Sequence, residues 1–285
     1  MISGKTSVYG IFGYPVEHTF SPGMHNAAFA KIKRDACYVP FAVAPADLKN
    51  AVRAIVPLGF CGLNITIPHK ETIIPFLDDL TDDARMIGAV NTIEVARGKL
   101  IGHNTDGRGF LRSLREETGF SPKGKTILMV GSGGAARAVG FNLALSGAQT
   151  IVLCDLDTVK ASKLGRDIQR KTDTRVMIVK PEGLVKKALI AECIINATPL
   201  GLKAGDPLPI PRHVIQKDHL ICELVYNPLW TPLLKAARSA GAKTLSGIGM
   251  LLYQGVIAFE IWTGGKAPVN VMKTALAGQI EQRGK

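Results

Sequence analysis

The chain has 285 residues, enough for two domains of roughly 100–200 residues each. At 46% hydrophobic and 20% charged it has the balance of a globular protein with a sizeable core, which excludes a disordered or fibrous chain. The net charge is +12 with a pI near 9.6, but the lysines and arginines are spread out with no nucleic-acid motif or basic-aromatic patch. A basic surface that attracts anionic metabolites and dinucleotides is therefore expected, not a nucleic-acid partner.

In chain order, strand-like and helix-like patterns alternate. Val8–Phe12, Tyr38–Val43, Gly62–Ile67 and Val90–Val95 read as strands. Ser21-Pro22 opens a helix with serine as N-cap and proline at N1. Pro45 opens the amphipathic stretch Ala46–Ile55, and Arg108–Glu117 is helical. From Lys125 the order is strand (Thr126–Val130), glycine turn, helix (Ala135–Leu145) and strand (Thr150–Cys154). Further strands are expected at Val176–Val179, Cys193–Asn196 and Leu220–Val225, and helix from Met250 to the end. This alternation predicts an α/β fold of mainly parallel sheets. An N-terminal α/β substrate domain is expected over 1–107 and a Rossmann-type dinucleotide domain over 108–249. The helices of 250–285 have no strands of their own and are expected to pack back on the first domain.

Five cysteines, Cys37, Cys61, Cys154, Cys193 and Cys222, include no C-x-x-C pair, and the last three lie in apolar runs. Buried reduced thiols are expected. The N-terminus lacks a signal-peptide pattern and no stretch reaches 18 apolar residues. The expected location is the cytoplasm, without a membrane partner, as a monomer or homodimer. His18 and His25 stand seven apart, but no further ligands accompany them, so no metal is expected and surface or hydrogen-bonded histidines are.

Gly131-Ser132-Gly133-Gly134-Ala135-Ala136 fits the G-x-G-x-x-A dinucleotide fingerprint between a strand and a helix. Gly131 turns the chain, Gly133 admits a pyrophosphate, and Gly134 and Ala135 open the helix whose N-terminus receives the phosphates. Asp155 ends the next strand, about 20 residues on, where an acid accepts from ribose hydroxyls; Asp157 and Thr158 can instead cap the following helix. Three polar blocks sit among glycines and apolar residues: Gly62-Leu63-Asn64-Ile65-Thr66-Ile67-Pro68-His69-Lys70, Gly88-Ala89-Val90-Asn91-Thr92-Ile93 and Gly102-His103-Asn104-Thr105-Asp106-Gly107. Such composition suits a small polyhydroxylated ligand that needs convergent hydrogen bonds and a proton-transfer group. Lys70 falls at an expected helix start, a poor place for a cation on dipole grounds, which favours a functional role.

With Gly13-Tyr14-Pro15-Val16, Ser21-Pro22, His25-Asn26, Asn196-Ala197-Thr198-Pro199 and Gly249-Met250-Leu251-Leu252-Tyr253-Gln254, these blocks form an ordered set that resembles the shikimate dehydrogenase family. The resemblance implies reversible oxidation of shikimate to 3-dehydroshikimate by a nicotinamide cofactor. It implies that Lys70 and Asp106 flank the reacting hydroxyl, that Asn91, Thr66 and Gln254 hold the ring, and that Thr19 and Ser21 take the carboxylate. It places Tyr226 near the substrate and Asn196, Thr198 and Met250 near the cofactor. Two departures stand out. Thr19 replaces the family's usual first serine. Cys154-Asp155-Leu156-Asp157 also stands where NADP-dependent members that resemble this chain carry an Asn-Arg-Thr cluster. Relatives with an acid there tend to use NAD and to accept quinate. The expected cofactor is therefore NAD, with NADP possible, and the expected substrate shikimate, possibly quinate; the alternatives are a quinate/shikimate dehydrogenase of catabolic type and a non-catalytic dinucleotide-binding regulator, which has no need of both Lys70 and Asp106.

Overall fold

The computed structural model describes residues 2–283. The chain divides into two compact units, one comprising the residues up to Thr105 together with those from Gln254 on, the other Asp106–Tyr253.

The first unit contains β1 (Ser7–Gly13), α1 (Ser21–Lys31), β2 (Ala36–Ala42), α2 (Leu48–Ala54), β3 (Phe60–Ile65), β4 (Asp79–Leu80), α3 (Asp82–Ile87), β5 (Thr92–Ala96) and β6 (Lys99–His103). Its six-stranded sheet runs β2-β1-β3-β5-β6-β4. The β1–β2 and β1–β3 pairs are parallel, whereas β5 is antiparallel to both β3 and β6. β4 is parallel to β6, so the sheet is mainly parallel as expected, with a hairpin inserted: Arg97 and Gly98, at φ 52° and 75°, make the two-residue turn between β5 and β6. One consequence matters for the site. The carboxyl ends of β1, β3 and β6 and the amino end of β5 lie at the same edge, with Asn64 opposite Thr92 and Thr92 opposite His103.

The second unit begins with α4 (Asp106–Thr118), followed by β7 (Thr126–Val130), α5 (Gly134–Leu145), β8 (Thr150–Cys154), α6 (Thr158–Lys171), β9 (Arg175–Val179), α7 (Leu184–Ala188), β10 (Cys193–Asn196), β11 (Leu220–Glu223), α8 (Pro232–Ser239) and β12 (Lys243–Leu245). All its strands are parallel, in the order β12-β11-β10-β7-β8-β9. The strand order reverses between β7 and β10, and ligands of such sheets bind beyond the carboxyl ends of the strands at that switch. Every residue of β10 and β11 is buried, as expected of parallel strands covered on both faces.

The two last helices are α9 (Gly247–Thr263) and α10 (Val269–Arg283), so the expected run from Met250 breaks at the Gly-Gly-Lys-Ala-Pro segment 264–268. The residues of α9 from Gln254 on pack on the first unit's sheet. Trp262 donates its indole N–H to the Ile93 carbonyl at 2.9 Å. Its ring occupies the space beside Gly62, where a Cβ would lie 2.4 Å from it. Trp262, Phe259, Tyr9, Phe29, Tyr38 and His25 form one aromatic cluster with centroid separations of 4.5–6.3 Å. None of the five cysteines is in a disulfide. Among the described residues no helix is long and apolar enough to cross a membrane.

Candidate functional site

In the first unit, the shared strand edge brings the polar blocks together. Asn91 is buried just before β5 and acts as a hub. Its amide nitrogen donates to Thr105 Oγ1 at 2.9 Å and to Gln254 Oε1 at 3.4 Å. Its amide oxygen accepts from the Thr105 backbone N–H at 2.7 Å and from the Thr92 hydroxyl at 3.2 Å. Asn64 donates to the Asn91 carbonyl and to Thr92 Oγ1, each at 3.1 Å, and accepts from the Tyr38 hydroxyl at 2.7 Å. Burial holds the Tyr38 phenol well above its usual range, while a hydrogen bond with Ser21 pulls it down. Tyr38 is thus a neutral donor, and a polar chain runs from Ser21 through Tyr38 and Asn64 to Asn91.

Thr66 and Lys70 lie beyond the end of β3, where a cis Ile67–Pro68 bond turns the chain. The expected strand to Ile67 ends at Ile65 because the Thr66 carbonyl is taken by the His69 N–H at 2.9 Å in that turn. His69 is fully buried and donates through Nε2 to the Val43 carbonyl at 2.7 Å. Lys70 is half-buried, with its carbonyl accepting from Val90 N–H at 2.7 Å, one residue before Asn91. No α-helix starts at Lys70, which corrects the dipole argument: the residue occupies a turn, and its proximity to Asn91 along the backbone is what sets it at the cluster.

Ser21 is also corrected as an N-cap. The cap position of α1 is Phe20, with no side-chain cap bond. Thr19 Oγ1 accepts from the Ser21 N–H at 3.2 Å, and the Ser21 hydroxyl faces Tyr38 instead. His25 departs from expectation as well. It is buried among Tyr38, Phe259 and Trp262, and neither ring nitrogen has a hydrogen-bond partner among the described residues. Among the described residues no cluster of three or more His, Cys, Asp or Glu could hold a metal.

In the second unit, Asp106 is the buried first residue of α4. The glycine turn after β7 fits a dinucleotide. Gly131 has φ +104°, and a Cβ on it would lie 2.7 Å from the Ala197 carbonyl. That is a conformation and a proximity only glycine tolerates. A Cβ on Gly133 or Gly134 would meet nothing within 4 Å, so the turn faces open space at the N-terminus of α5, where phosphates bind. Ala135 lies in the first turn of that helix.

Asp155 follows β8, half-buried, and its carboxylate accepts from the Ser132 hydroxyl at 2.5 Å and from the Asp157 N–H at 2.9 Å. Asp157 is committed as the α6 N-cap, accepting from Lys160 N–H. Asp157 thus takes the capping place open to it in the sequence, and Asp155 is the acid at the position the fingerprint expects.

Asn196, at the end of β10, is fully buried and saturated. Its amide nitrogen donates to Glu223 and to the Leu200 carbonyl, and its oxygen accepts from both N–H and hydroxyl of Thr198. Thr198 stands half-buried in the same loop, and Met250 is buried in α9. Tyr226 is half-buried in the segment after β11, next to a cis Asn227–Pro228 bond.

Sequence reasoning overlooked Tyr38, Thr92, Thr105, Ser132 and Glu223. Thr92, Thr105 and Ser132 lie inside the quoted motifs, so the motifs were signal enough. Tyr38 and Glu223 sit in apolar strands, and nothing in their local pattern distinguishes them from packing.

Comparison with known proteins bears on the whole chain. A family model described as the shikimate dehydrogenase substrate binding domain matches residues 11–93, and the shikimate 5'-dehydrogenase C-terminal domain matches residues 247–277. A curated relative from Desulforamulus reducens, named shikimate dehydrogenase (NADP(+)), is 50% identical over 284 residues, covering 98% of this chain and 97% of its own. A crystal structure of a shikimate dehydrogenase in complex with NADP+ superposes with a TM-score of 0.93 at 42% identity, covering 98% of each chain. Shikimate 5-dehydrogenase from Listeria monocytogenes, in complex with shikimate and NAD, has a TM-score of 0.91 at 36% identity, covering 96% of this chain and 98% of that one. The chain belongs to the shikimate dehydrogenase family.

Proposed function

We propose that this protein is a nicotinamide-dependent shikimate dehydrogenase, interconverting shikimate and 3-dehydroshikimate. The observation that carries the reading is the buried Asn91–Thr105–Gln254 cluster next to the Lys70 turn, in a chain 50% identical to a curated shikimate dehydrogenase. Three neutral side chains converge from a strand edge and a helix without adding charge, and hydrogen bonds among them exchange for ring hydroxyls when the ligand binds. Lys70 takes the proton of the reacting hydroxyl in oxidation and returns it in reduction, and Asp106 orients that hydroxyl. Thr66, Asn91 and Gln254 hold the ring. Thr19 and Ser21 take the carboxylate, which requires the Ser21 hydroxyl to exchange Tyr38 for the ligand. Tyr226 lies near the substrate.

The bound nicotinamide dinucleotide supplies the hydride acceptor and donor. Gly131, Gly133, Gly134 and Ala135 form the phosphate turn, Thr198 and Met250 stand near the cofactor, and Asn196 braces the Thr198 loop instead of touching the ligand. Within this activity we propose a preference for NAD. The Asp155 carboxylate, fixed by Ser132 and the Asp157 N–H, accepts from free ribose hydroxyls and repels a 2′-phosphate. No arginine stands in the segment 154–157, so a phosphomonoester would find no guanidinium there. The relative named for NADP(+) weighs against this preference, and the positive net charge favours the more anionic cofactor. That attraction is screened over about 8–10 Å, whereas the carboxylate acts in contact.

Steady-state assays with shikimate or quinate, each with NAD and NADP, test both levels. No turnover of shikimate with either cofactor refutes the activity. A higher kcat/KM with NADP refutes the preference, and Asp155→Ala is expected to shift the ratio towards NADP. Lys70→Ala is expected to lower kcat by about two to four orders of magnitude with an unchanged melting temperature; near-normal turnover removes Lys70 from the chemistry.

A further inference from the structure

We propose that Glu223 is a positioning residue for the dinucleotide turn, holding the 196–201 loop against Gly131; the inference rests on the nucleotide-site reading above. Glu223 ends β11, buried, with no basic side chain paired to it among the described residues. Three segments instead point donors at its carboxylate. Asn196 on β10 donates at 2.9 and 3.1 Å, the Val225 N–H at 3.0 Å, and the Thr231 hydroxyl at 3.0 Å. Thr231 is also the N-cap of α8, accepting from the Leu234 N–H.

A buried carboxylate without a cation is costly, and such groups persist where their hydrogen bonds hold something in place. Burial lifts this carboxyl to about 7 even against those hydrogen bonds. What it holds can be traced outwards. With its nitrogen turned to Glu223, Asn196 presents its oxygen to Thr198, whose N–H and hydroxyl donate at 3.1 and 2.6 Å. Thr198 Oγ1 in turn accepts from the Leu200 N–H at 3.1 Å. The loop so shaped puts the Ala197 carbonyl 2.7 Å, and the Thr198 nitrogen 3.0 Å, from where a Gly131 Cβ would stand. Gly131 is the first glycine of the phosphate turn. One carboxylate therefore sets the orientation of Asn196, Asn196 sets the loop, and the loop is the wall against which the turn rests. A neutral amide in its place would aim its N–H₂ at the Asn196 amide nitrogen in either orientation, since both carboxylate oxygens accept from that nitrogen, and one of those two contacts would be lost.

The test is Glu223→Gln, read by titration calorimetry with NAD and with NADP, alongside the KM for shikimate at saturating cofactor. Binding of both dinucleotides is expected to weaken about tenfold, the effect of one lost buried hydrogen bond to a charged group, while the KM for shikimate stays unchanged. If Glu223→Gln does not accumulate folded, Asn196→Ala cuts the same link at its other end and is expected to give the same split. An unchanged dinucleotide Kd overturns the proposal. So does an equal rise in the shikimate KM, which would mark a general loss of structure. A wild-type protein that binds dinucleotide but does not oxidise shikimate refutes the functional reading and leaves the calorimetric comparison decisive for Glu223. A wild-type protein that binds neither dinucleotide overturns both.

Discussion

His25 offers a sharp test of how the first unit is held together. Its imidazole lies stacked 4.5 Å from the Tyr38 ring and packs against Phe259 and Trp262, fully buried. Burial alone drives its pKa from 6.5 down to about 3, because an imidazolium there would be desolvated, with no hydrogen-bond acceptor among the described residues. The unfolded chain keeps the ordinary value, so between pH 6.5 and about 3 it binds the proton the folded chain refuses. The resulting stabilisation is fully present above pH 6.5 and is lost as pH falls through that window. At 1.36 kcal/mol per pH unit, about 2 kcal/mol should be lost between pH 8 and 5, and about 4 kcal/mol by pH 3.5. His25→Phe keeps the ring stack and removes both unpaired nitrogens. At pH 8 it should be as stable as wild type or about 1 kcal/mol more so. Between pH 8 and 5 its stability should fall by about 2 kcal/mol less than that of wild type. Urea unfolding at pH 8, 6.5 and 5 measures this, with Trp262 as the probe in a Trp230→Phe background, since Trp230 is exposed and lies in the other unit. Parallel pH profiles for the two proteins, with equal m-values, would show that the buried imidazole is not the group that titrates.

Ser21→Ala should raise the KM for shikimate about tenfold or more, the range for a hydrogen bond to a charged group, with a smaller effect on kcat. An unchanged KM would leave the hydroxyl to Tyr38 alone. Asp106→Asn keeps the shape of the α4 N-terminus and should slow turnover while melting normally; wild-type activity across the pH range would count against its orienting role. Gly131→Ala combines a φ of +104° with a Cβ 2.7 Å from the Ala197 carbonyl. It should cost about 2–3 kcal/mol of stability and weaken dinucleotide binding in calorimetry; an alanine variant that binds normally would show that the turn relaxes freely.

The nucleotide-binding sheet was the most legible part of the sequence. Thr126–Val130, Thr150–Cys154 and Cys193–Asn196 appear as strands with the expected bounds, because a strand buried on both faces must be a continuous apolar run, and that signal is local. The glycine turn was legible for a similar reason, since its backbone conformation admits few other residues. The polar blocks of the first unit were readable as motifs that resemble a family. Where each side chain points was not. Ser21 has the sequence of an N-cap, yet its hydroxyl turns to Tyr38, a partner from the neighbouring strand. Lys70 stands in a turn, not at a helix start, because the chain beyond Ile65 is caught by the Thr66–His69 bond.

What the sequence determined by itself is the alternation of elements, the position of the glycine turn after β7, and the identity of the polar residues at strand ends. These depend on the periodicity and backbone preferences of neighbouring residues. The tertiary structure alone decided which of those polar groups remain available. Asn196 is spent on Glu223, 27 residues away, Asp157 on the α6 cap, and His25 has no hydrogen-bond partner among the described residues inside an aromatic cluster built from α1, β1, β2 and α9. A hydrogen bond is used up by whatever donor or acceptor the fold brings within about 3 Å, and residues far apart in the chain are paired only by packing.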